Sequence, residues 1–292
     1  MVKLDIDSFK IKPLQTIRLS ERDTDIDLGF SSQEELQKAI DKNCRVLNEW
    51  QQKLMAEEKR GLIFALQAMD AAGKDEAIRF LFSRLSSQAL KTVSFNKPSK
   101  QDLLHDYLWR LAPLMPERGE IGVFNRSHYE QVIGNRIHET YLEEKLPDHA
   151  LEGDLWKKRY KHIRNFEEYL ADNGFYMIKI YFHISKETQK ERLLERMEDP
   201  NHHWEFSMSD LDDRAVWDEH MSYFEETFTH TSTEGAPWFV IPADNGDVGR
   251  YILSEILLHK LEQMNPQYPQ LSNEEQEELK EAAQRLRDGE YD

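Results

Sequence analysis

The chain has 292 residues with 38 Lys and Arg against 55 Asp and Glu, and its formal net charge of −17 makes it a poor candidate for nucleic-acid binding. Hydrophobic residues make up 39% of the chain, which argues against disorder, and the single cysteine, Cys44, excludes an intramolecular disulfide and a cysteine-based zinc site. No apolar run reaches about 18 residues and no signal-peptide pattern opens the sequence, so we expect no membrane partner and a cytoplasmic location.

Residues 1–34 are predicted to form an N-terminal extension with little regular structure. Ser32 then begins the sequence Ser-Gln-Glu-Glu, which is typical of the start of a helix. Apolar residues from Leu36 to Leu54 recur at helical spacing, and Gly61 follows a run of charges as a stop signal. The pattern predicts a helix through about residue 58.

The stretch from Leu62 to Phe82 is predicted to be a strand, a tight turn and a helix, which is the layout of a phosphate-binding loop. Small residues in the turn allow backbone N–H groups to approach phosphate oxygens, and the first N–H groups of a helix attract anions. We call residues 69–74 the phosphate loop, and we expect Lys74 to reach along the phosphate chain as a mobile point charge. The residues predicted to bind phosphate here are Ala71, Ala72, Gly73, Lys74 and Asp75.

The phosphate loop departs at two positions from the usual pattern, Gly-x-x-x-x-Gly-Lys-Ser/Thr. Ala68 replaces the first glycine, and Asp75 replaces the hydroxyl residue that binds Mg²⁺. A plain turn between a core strand and a core helix therefore stays an alternative. Asp70 argues against that alternative, because a carboxylate beside bound phosphate repels it unless a metal ion lies between them. Asp70 thus predicts a Mg²⁺ site.

Strands and helices alternate along the rest of the chain, which predicts an α/β fold with a parallel sheet and helices on both faces. Ligands of such sheets bind beyond the carboxyl ends of the strands, so Asn125 and Arg126 are expected near Lys74. The tail from Gln270 is acidic and predicts a solvated terminal helix. Strands are predicted at 91–95, 120–124, 175–184 and 237–242. Helices are predicted at 98–111, 151–170, 186–199 and 248–263, together with one that follows the strand 120–124 and runs through residue 137 and one that covers part of 201–232.

Four of these stretches, taken in order, resemble the polyphosphate kinase type 2 family over roughly residues 25–260. The NRSHYE sequence looks most like the branch called class III, which is associated with phosphorylating both AMP and ADP. The four stretches are LQAMDAAGKDEAIR, IGVFNRSHYEQV, HISKETQKERLLERMEDP followed by Trp204, and TSTEGAPWFVIPADN.

The resemblance implies a P-loop kinase-like three-layer fold, with a parallel sheet, helices on both faces and a helical lid. It divides the chain into the extension 1–34, a catalytic domain 35–265 with the lid at about 186–232, and an acidic tail 266–292. It implies reversible phosphoryl transfer between inorganic polyphosphate and AMP, ADP or ATP, with Mg²⁺ or Mn²⁺ as cofactor. A homo-oligomer, dimer or tetramer, is also expected.

The resemblance assigns catalytic roles to four residues. Asp70 would hold the metal, and Lys74 would neutralise charge in the transition state. Arg126 would hold a nucleotide phosphate through two hydrogen bonds, and Arg192 would close over the phosphates from the lid.

Five further residues are implied to bind phosphate or nucleotide. Asn125 stands where the family often has Asp, and an amide can ligate a metal or orient a water but brings no charge. Glu130 is expected at the acceptor site, and Arg136 could face the same site from one helix. Lys190 and Arg196 fall on the predicted lid helix, where a solvated face paired with neighbouring glutamates is the alternative.

Other functions stay open at this point. An ATP-dependent nucleoside or nucleoside-monophosphate kinase would share both the fold and the loop. A catalytically silent nucleotide or phosphate sensor is the second alternative, because His202 and Glu205 stand where the family commonly has lysines. A structural role of the acidic tail in a larger assembly is a third.

Overall fold

A computed structural model describes residues 4–291 of the chain. In this part of the chain six strands form one sheet in the order β1-β6-β5-β2-β4-β3, and every neighbouring pair is parallel except β1 with β6. The predicted parallel α/β sheet is therefore confirmed. The strands are β1 (Lys10–Ile11), β2 (Gly61–Ala68), β3 (Leu90–Ser94), β4 (Ile121–Asn125), β5 (Phe175–His183) and β6 (Trp238–Pro242).

Helices flank this sheet, and most lie where the sequence predicts them. Helix α1 packs against α9, and α5 packs against β5 and α8. The helices are α1 (Gln33–Glu57), α2 (Lys74–Phe82), α3 (Gly134–Ile137), α4 (Asp148–Leu151), α5 (Leu155–Asp172), α6 (Lys186–Glu198), α7 (Met208–Ala215), α8 (Trp217–Thr231), α9 (Gly246–Met264) and α10 (Asn273–Arg287).

Strand β2 lies between β5 and β4 and is buried along almost its whole length. Leu62, Phe64 and Leu66 belong to the main hydrophobic cluster, and Ile63 and Ala65 belong to a second one. Successive side chains of a strand point to opposite faces, so both faces of β2 are covered. This explains why the sequence shows a continuous apolar run here rather than alternation.

Two predicted helices are wrong in form. The region 98–111 contains two short 3₁₀ segments, Asp102–Leu104 and Trp109–Leu114, instead of one α-helix. Pro113 lies inside the second segment and removes a backbone donor, and Leu104 is 74% exposed, so its apolar side chain does not face the core. After β4, the predicted helix up to 137 is a 3₁₀ segment, His128–Gln131, followed by the single turn of α3.

The N-terminal segment has more structure than the sequence predicts. β1 extends the sheet by pairing Lys10 and Ile11 with β6, and two 3₁₀ turns flank it. Ile11 and Leu19 are almost completely buried. The first three residues of the predicted extension lie outside the described residues, and the division of the chain into extension, catalytic domain and tail stays a prediction.

The acidic tail forms α10, which begins with a capping box between Ser272 and Glu275. Its side chains are exposed or half-exposed, as expected for a solvated helix, and residue 292 lies outside the described part. Between residues 4 and 291, none of the helices combines the length and the apolar character that crossing a bilayer requires.

A buried ion pair joins β5 to α5. The ammonium group of Lys179 lies 2.7 Å from the Glu167 carboxylate and donates to the Thr231 carbonyl oxygen, and both charged side chains are inaccessible to solvent. The Tyr129 hydroxyl donates to the same carboxylate at 2.6 Å. Burial lowers the pKa of Lys179. Burial raises the pKa of Glu167, but the nearby Lys179 and His128 lower it by more, so the pKa of Glu167 lies below its usual value. The lowered pKa of Glu167 favours its carboxylate form beside Lys179.

Replacing Lys179 with Met should lower the free energy of unfolding by about 3 to 5 kcal/mol, because it leaves the Glu167 carboxylate buried without its cation. Urea denaturation measures this change. The double variant Lys179→Met, Glu167→Leu is the matched control and should recover most of the loss. A single variant as stable as the wild type would show that the pair contributes nothing.

Candidate active site

The phosphate loop and the segment after β4 meet at the carboxyl edge of the sheet. β2 and β4 pair with Leu66 opposite Asn125, so the two loops that follow them are neighbours. The Lys74 ammonium donates to the Asn125 side-chain oxygen and lies 3.4 Å from the Asp75 carboxylate. The Asn125 amide donates in turn to Asp75. The structure therefore brings Lys74, Asp75 and Asn125 together, at the edge where the sequence predicts them.

Lys74 is a buried cation at the start of α2. Burial lowers its pKa, and the carboxylates of Asp75 and Asp70 oppose this effect. Burial raises the pKa of Asp75, but Lys74 and Asn125 lower it by more. The pKa of the Asp75 carboxyl therefore lies below its usual range. An ammonium group has three donors, and the structure engages two of them with Asn125 and Asp75. A donor remains for an anion at this position.

The backbone of the phosphate loop has the conformation of an anion-binding turn. Ala71 has φ +61° and Gly73 has φ +82°, both in the left-handed region. Left-handed residues within a turn direct successive N–H groups into one concavity, where they bind anions. Ala71 and Ala72 are buried, and Gly73 caps the start of α2. The left-handed backbone favours glycine at position 73, whereas a Cβ atom there would be in ordinary van der Waals contact with the Arg192 guanidinium, 3.4 Å away.

Arg126 and Asp70 form an ion pair of 2.6 Å across the two loops. Arg126 has φ +58°, and its backbone N–H donates to the Leu66 carbonyl oxygen, which turns its side chain back towards the phosphate loop. The charge of Glu130 raises the pKa of Arg126, and Asp70 adds to the effect. The predicted metal ligand and the predicted phosphate ligand are therefore in direct contact.

Asp210 on α7 is a site residue that sequence reasoning missed. Its side chain is buried, and burial together with the charge of Asp70 raises its pKa to about 6. The charges of Asp70 and Asp210 therefore act on one another across the site. Nothing in the sequence around Asp210 distinguishes it from neighbouring acidic residues, because only the folding of α7 over the phosphate loop brings it towards Asp70.

The donors present fit a hydrated Mg²⁺ better than a fully protein-ligated metal. Within residues 4–291, the structure contains no group of three or more His, Cys, Asp or Glu side chains arranged to hold an ion. Mg²⁺ keeps several waters and is usually held by one or two carboxylates together with substrate phosphates. Asp70 and Asp210 can supply such a pair.

Arg192 is docked onto the phosphate loop rather than exposed on a solvated face. Its guanidinium donates to the carbonyl oxygens of Ala71 at 3.1 Å, Ala243 at 2.9 Å and Asp244 at 2.7 Å. Burial lowers its pKa. It therefore ties α6 to the phosphate loop and to the end of β6.

Lys190 and Arg196, two further cations of the predicted lid helix, each lie beside a glutamate. Lys190 is about half exposed and lies 3.2 Å from Glu187 on the same helix. Arg196 lies 3.6 Å from Glu205, one of the two residues that stand where lysines were expected. Their predicted role in binding polyphosphate stays a prediction.

Arg136 does not face Arg126. It donates to the Glu226 carboxylate at 2.6 Å and lies over the Tyr223 ring, so its partners are on α8. The expectation that it shares a helix with Arg126 was wrong, because the chain leaves helical geometry at Ile133 before the short turn of α3.

A cavity of about 410 Å³ opens beside Asp70 and Arg126. Its volume falls within the usual range of small-molecule sites. The buried Gln67 amide lies behind the lining residues Glu130 and Ser127. With its amide oxygen and nitrogen interchanged, which satisfies both, it donates to Glu130 at 2.9 Å and accepts from the backbone N–H and hydroxyl of Ser127 at 3.2 Å. The cavity combines apolar and charged groups, among them Phe95, Arg110, Glu130, His138, Asp213 and His220.

One wall of this cavity is closed by a carboxylate shared between two histidines. Asp213 on α7 lies 3.0 Å from the His138 ring and 3.2 Å from the His220 ring. Burial raises the pKa of Asp213, but the two histidines and Arg126 outweigh it and lower that pKa. The contact joins α7 to α8 and to the segment after α3. Sequence reasoning missed this contact, because His138 is distant in the chain from Asp213 and His220.

The chain resembles known proteins over most of its length. The profile of the polyphosphate kinase 2 (PPK2) family matches residues 30–269. A protein from Rhodopseudomonas palustris named ADP-polyphosphate phosphotransferase is 36% identical over 287 residues, which cover 98% of this chain and 99% of that protein. One from Meiothermus ruber named AMP/ADP-polyphosphate phosphotransferase is 42% identical over 226 residues, which cover 77% and 81% of the two chains.

The fold is also similar to a solved structure. The crystal structure of polyphosphate kinase 2 from Arthrobacter aurescens TC1 superposes with a TM-score of 0.83 and 31% identity, covering 92% of this chain and 93% of that one. The predicted P-loop kinase-like fold is thereby confirmed. Motifs, family profile and fold agree, and the chain belongs to the polyphosphate kinase 2 family.

Proposed function

We propose that this protein is a Mg²⁺-dependent or Mn²⁺-dependent kinase that transfers phosphoryl groups between inorganic polyphosphate and AMP or ADP. The observation that carries the proposal is the meeting of Lys74, Asn125 and the Arg126–Asp70 ion pair at a phosphate loop beside a 410 Å³ cavity. The names of the relatives from Rhodopseudomonas palustris and Meiothermus ruber support the same donor and acceptors.

Phosphoryl transfer needs positioning and charge neutralisation more than covalent help from the protein. The N–H groups of the phosphate loop would bind the transferring phosphate. The third N–H donor of Lys74 would bind the same phosphate and neutralise the negative charge on it in the transition state. Arg126 presents a planar guanidinium that can hold an acceptor phosphate through two hydrogen bonds. Arg192 would hold the phosphate loop in this shape through its bonds to the backbone.

A divalent metal would neutralise the negative charge that accumulates between donor and acceptor phosphates. Asp70 and Asp210 are the side chains that we propose to hold it. Asn125 is bound to Lys74 and Asp75, so we assign to it the orientation of Lys74 rather than metal ligation.

The acceptor nucleotide would occupy the cavity beside Arg126. Glu130 lies on its floor, next to Arg126, where it can orient that guanidinium or contact the nucleotide. We propose the class III activity, with both AMP and ADP as acceptors, on the basis of the NRSHYE sequence. A cytoplasmic location is a further proposal, and so is a dimeric or tetrameric assembly, which rests on the family resemblance alone.

Purified protein with Mg²⁺ should form ADP and then ATP when it is given long-chain polyphosphate and AMP. The test is a matrix of two donors, polyphosphate and ATP, against AMP, ADP, GMP and GDP, with products separated by chromatography. Turnover with ATP alone as donor would assign the protein to the ordinary nucleotide kinases. Nucleotide binding without turnover in any combination would favour a sensor.

Replacing Lys74 with Ala should lower turnover by about three orders of magnitude or more, because the transferring phosphate loses its mobile cation. Initial rates with polyphosphate and ADP measure the change, and circular dichroism verifies that the fold is kept. Lys280→Ala, the same substitution on the exposed helix α10, is the control. A rate like that of the wild type in Lys74→Ala would remove the phosphate loop from the mechanism.

Replacing Asp210 with Asn should raise the melting temperature of the metal-free protein, because it removes a buried carboxylate that repels Asp70. The same variant should need at least tenfold more Mg²⁺ for half-maximal activity. Thermal denaturation and Mg²⁺ titration of the rate measure the two effects. Asp288→Asn at the exposed end of α10 is the control, and unchanged values for both quantities in Asp210→Asn would remove it from the metal site.

A further inference from the structure

Gln189 is a fully buried amide on α6 that contacts the phosphate loop. It has no accessible surface, and its Nε2 atom donates to the Asp70 carbonyl oxygen at 3.1 Å. The neighbouring turn of α6 makes a second contact to the loop through Arg192. Helix α6 is therefore fixed against the backbone of the residue that we propose to hold the metal.

The other atom of the same amide contacts α7. Gln189 Oε1 accepts from the Arg214 guanidinium at 3.0 Å, and the same Arg214 nitrogen also donates to the Lys186 carbonyl oxygen at 2.6 Å. One side chain thus connects Asp70 to α7. The chemistry of its two partners determines its orientation, because a carbonyl oxygen needs an N–H donor and a guanidinium needs an oxygen acceptor.

Helix α7 depends on polar contacts of this kind for its position. It has eight residues, and Asp210 is the one among them that is buried, whereas Met208 at its start is 66% exposed. A helix with so little apolar burial gains little from hydrophobic packing. Arg214 and Asp210 are four residues apart, so they lie on the same face of α7. The bond to Gln189 therefore acts close to Asp210.

We propose that Gln189 is a positioning residue that sets the separation of Asp70 and Asp210 across the active site. It holds the loop backbone at Asp70 with its N–H group and holds α7 through Arg214 with its oxygen. This inference rests on the proposed function, because it takes the two carboxylates as the pair that receives the divalent metal. Glu at this position keeps the acceptor for Arg214 but loses the donor for Asp70.

The inference is tested on the full-length protein by Mn²⁺ binding, followed through the electron paramagnetic resonance signal of free Mn²⁺. Gln189→Met, which removes both polar contacts at similar volume, should raise the Mn²⁺ dissociation constant at least fivefold. Gln189→Glu should raise it less than Gln189→Met, since it keeps the contact to Arg214. The matched control is Gln52→Met at an exposed position of α1, which should bind Mn²⁺ like the wild type.

A double-mutant cycle separates positioning from general destabilisation. If Gln189 acts through Asp210, the double variant Gln189→Met, Asp210→Asn should bind Mn²⁺ no more weakly than Asp210→Asn alone. Effects that multiply in the double variant would overturn the inference. So would a lowered melting temperature of Gln189→Met with an unchanged Mn²⁺ dissociation constant, or a wild-type protein that binds no Mn²⁺.

The polyphosphate assay distinguishes a failure of this inference from a failure of the proposed function. If the double variant binds Mn²⁺ no more weakly than Asp210→Asn alone but the wild type turns over no polyphosphate, the positioning role of Gln189 is supported and the proposed reaction is rejected. Turnover of polyphosphate by the wild type together with multiplying effects in the cycle would support the reaction and reject the role of Gln189.

Discussion

The parallel pairing of β2 with β4 is the constraint on which the charged site depends. It sets Leu66 opposite Asn125, and the loops that follow the two strands then bring Lys74 into contact with the Asn125 amide. A shift of the pairing by one residue would turn the Asn125 side chain to the other face of the sheet. Apolar side chains on both faces of β2 oppose such a shift. The geometry of the charges is therefore determined by the hydrophobic core beneath them.

The charges of the site are arranged as compensated pairs in a chain whose net charge is −17. Lys74 lies beside Asp75, and Arg126 is bound to Asp70. A polyanion that approaches such a protein meets local cations whose present partners are exchangeable carboxylates and amides. Phosphate oxygens can replace those partners without leaving a buried cation unpaired, which keeps the cost of desolvation low.

The sequence was sufficient for the phosphate loop and the sheet, because these depend on local patterns of glycine, lysine and apolar runs. It was insufficient for Asp210 and Gln189, whose roles exist only because α6 and α7 fold over the loop from a distant part of the chain. The leucine spacing of residues 98–111 suggested one helix, but Leu104 is exposed and the chain forms two 3₁₀ segments, the second of which contains Pro113. Arg136 was misplaced because spacing along the chain predicts a shared face only while the helix is unbroken.

β1 covers one edge of the sheet. By pairing with β6, Lys10 and Ile11 occupy hydrogen-bonding groups along the outer edge of a strand whose residues are all buried. An uncovered strand of this kind is a template for joining a second chain. The β1 segment thus protects this edge of the sheet from pairing with other molecules, and a form shortened beyond Ile11 would expose the apolar edge of β6. Affinity tags and fusion partners are better placed before Lys10 than in exchange for it.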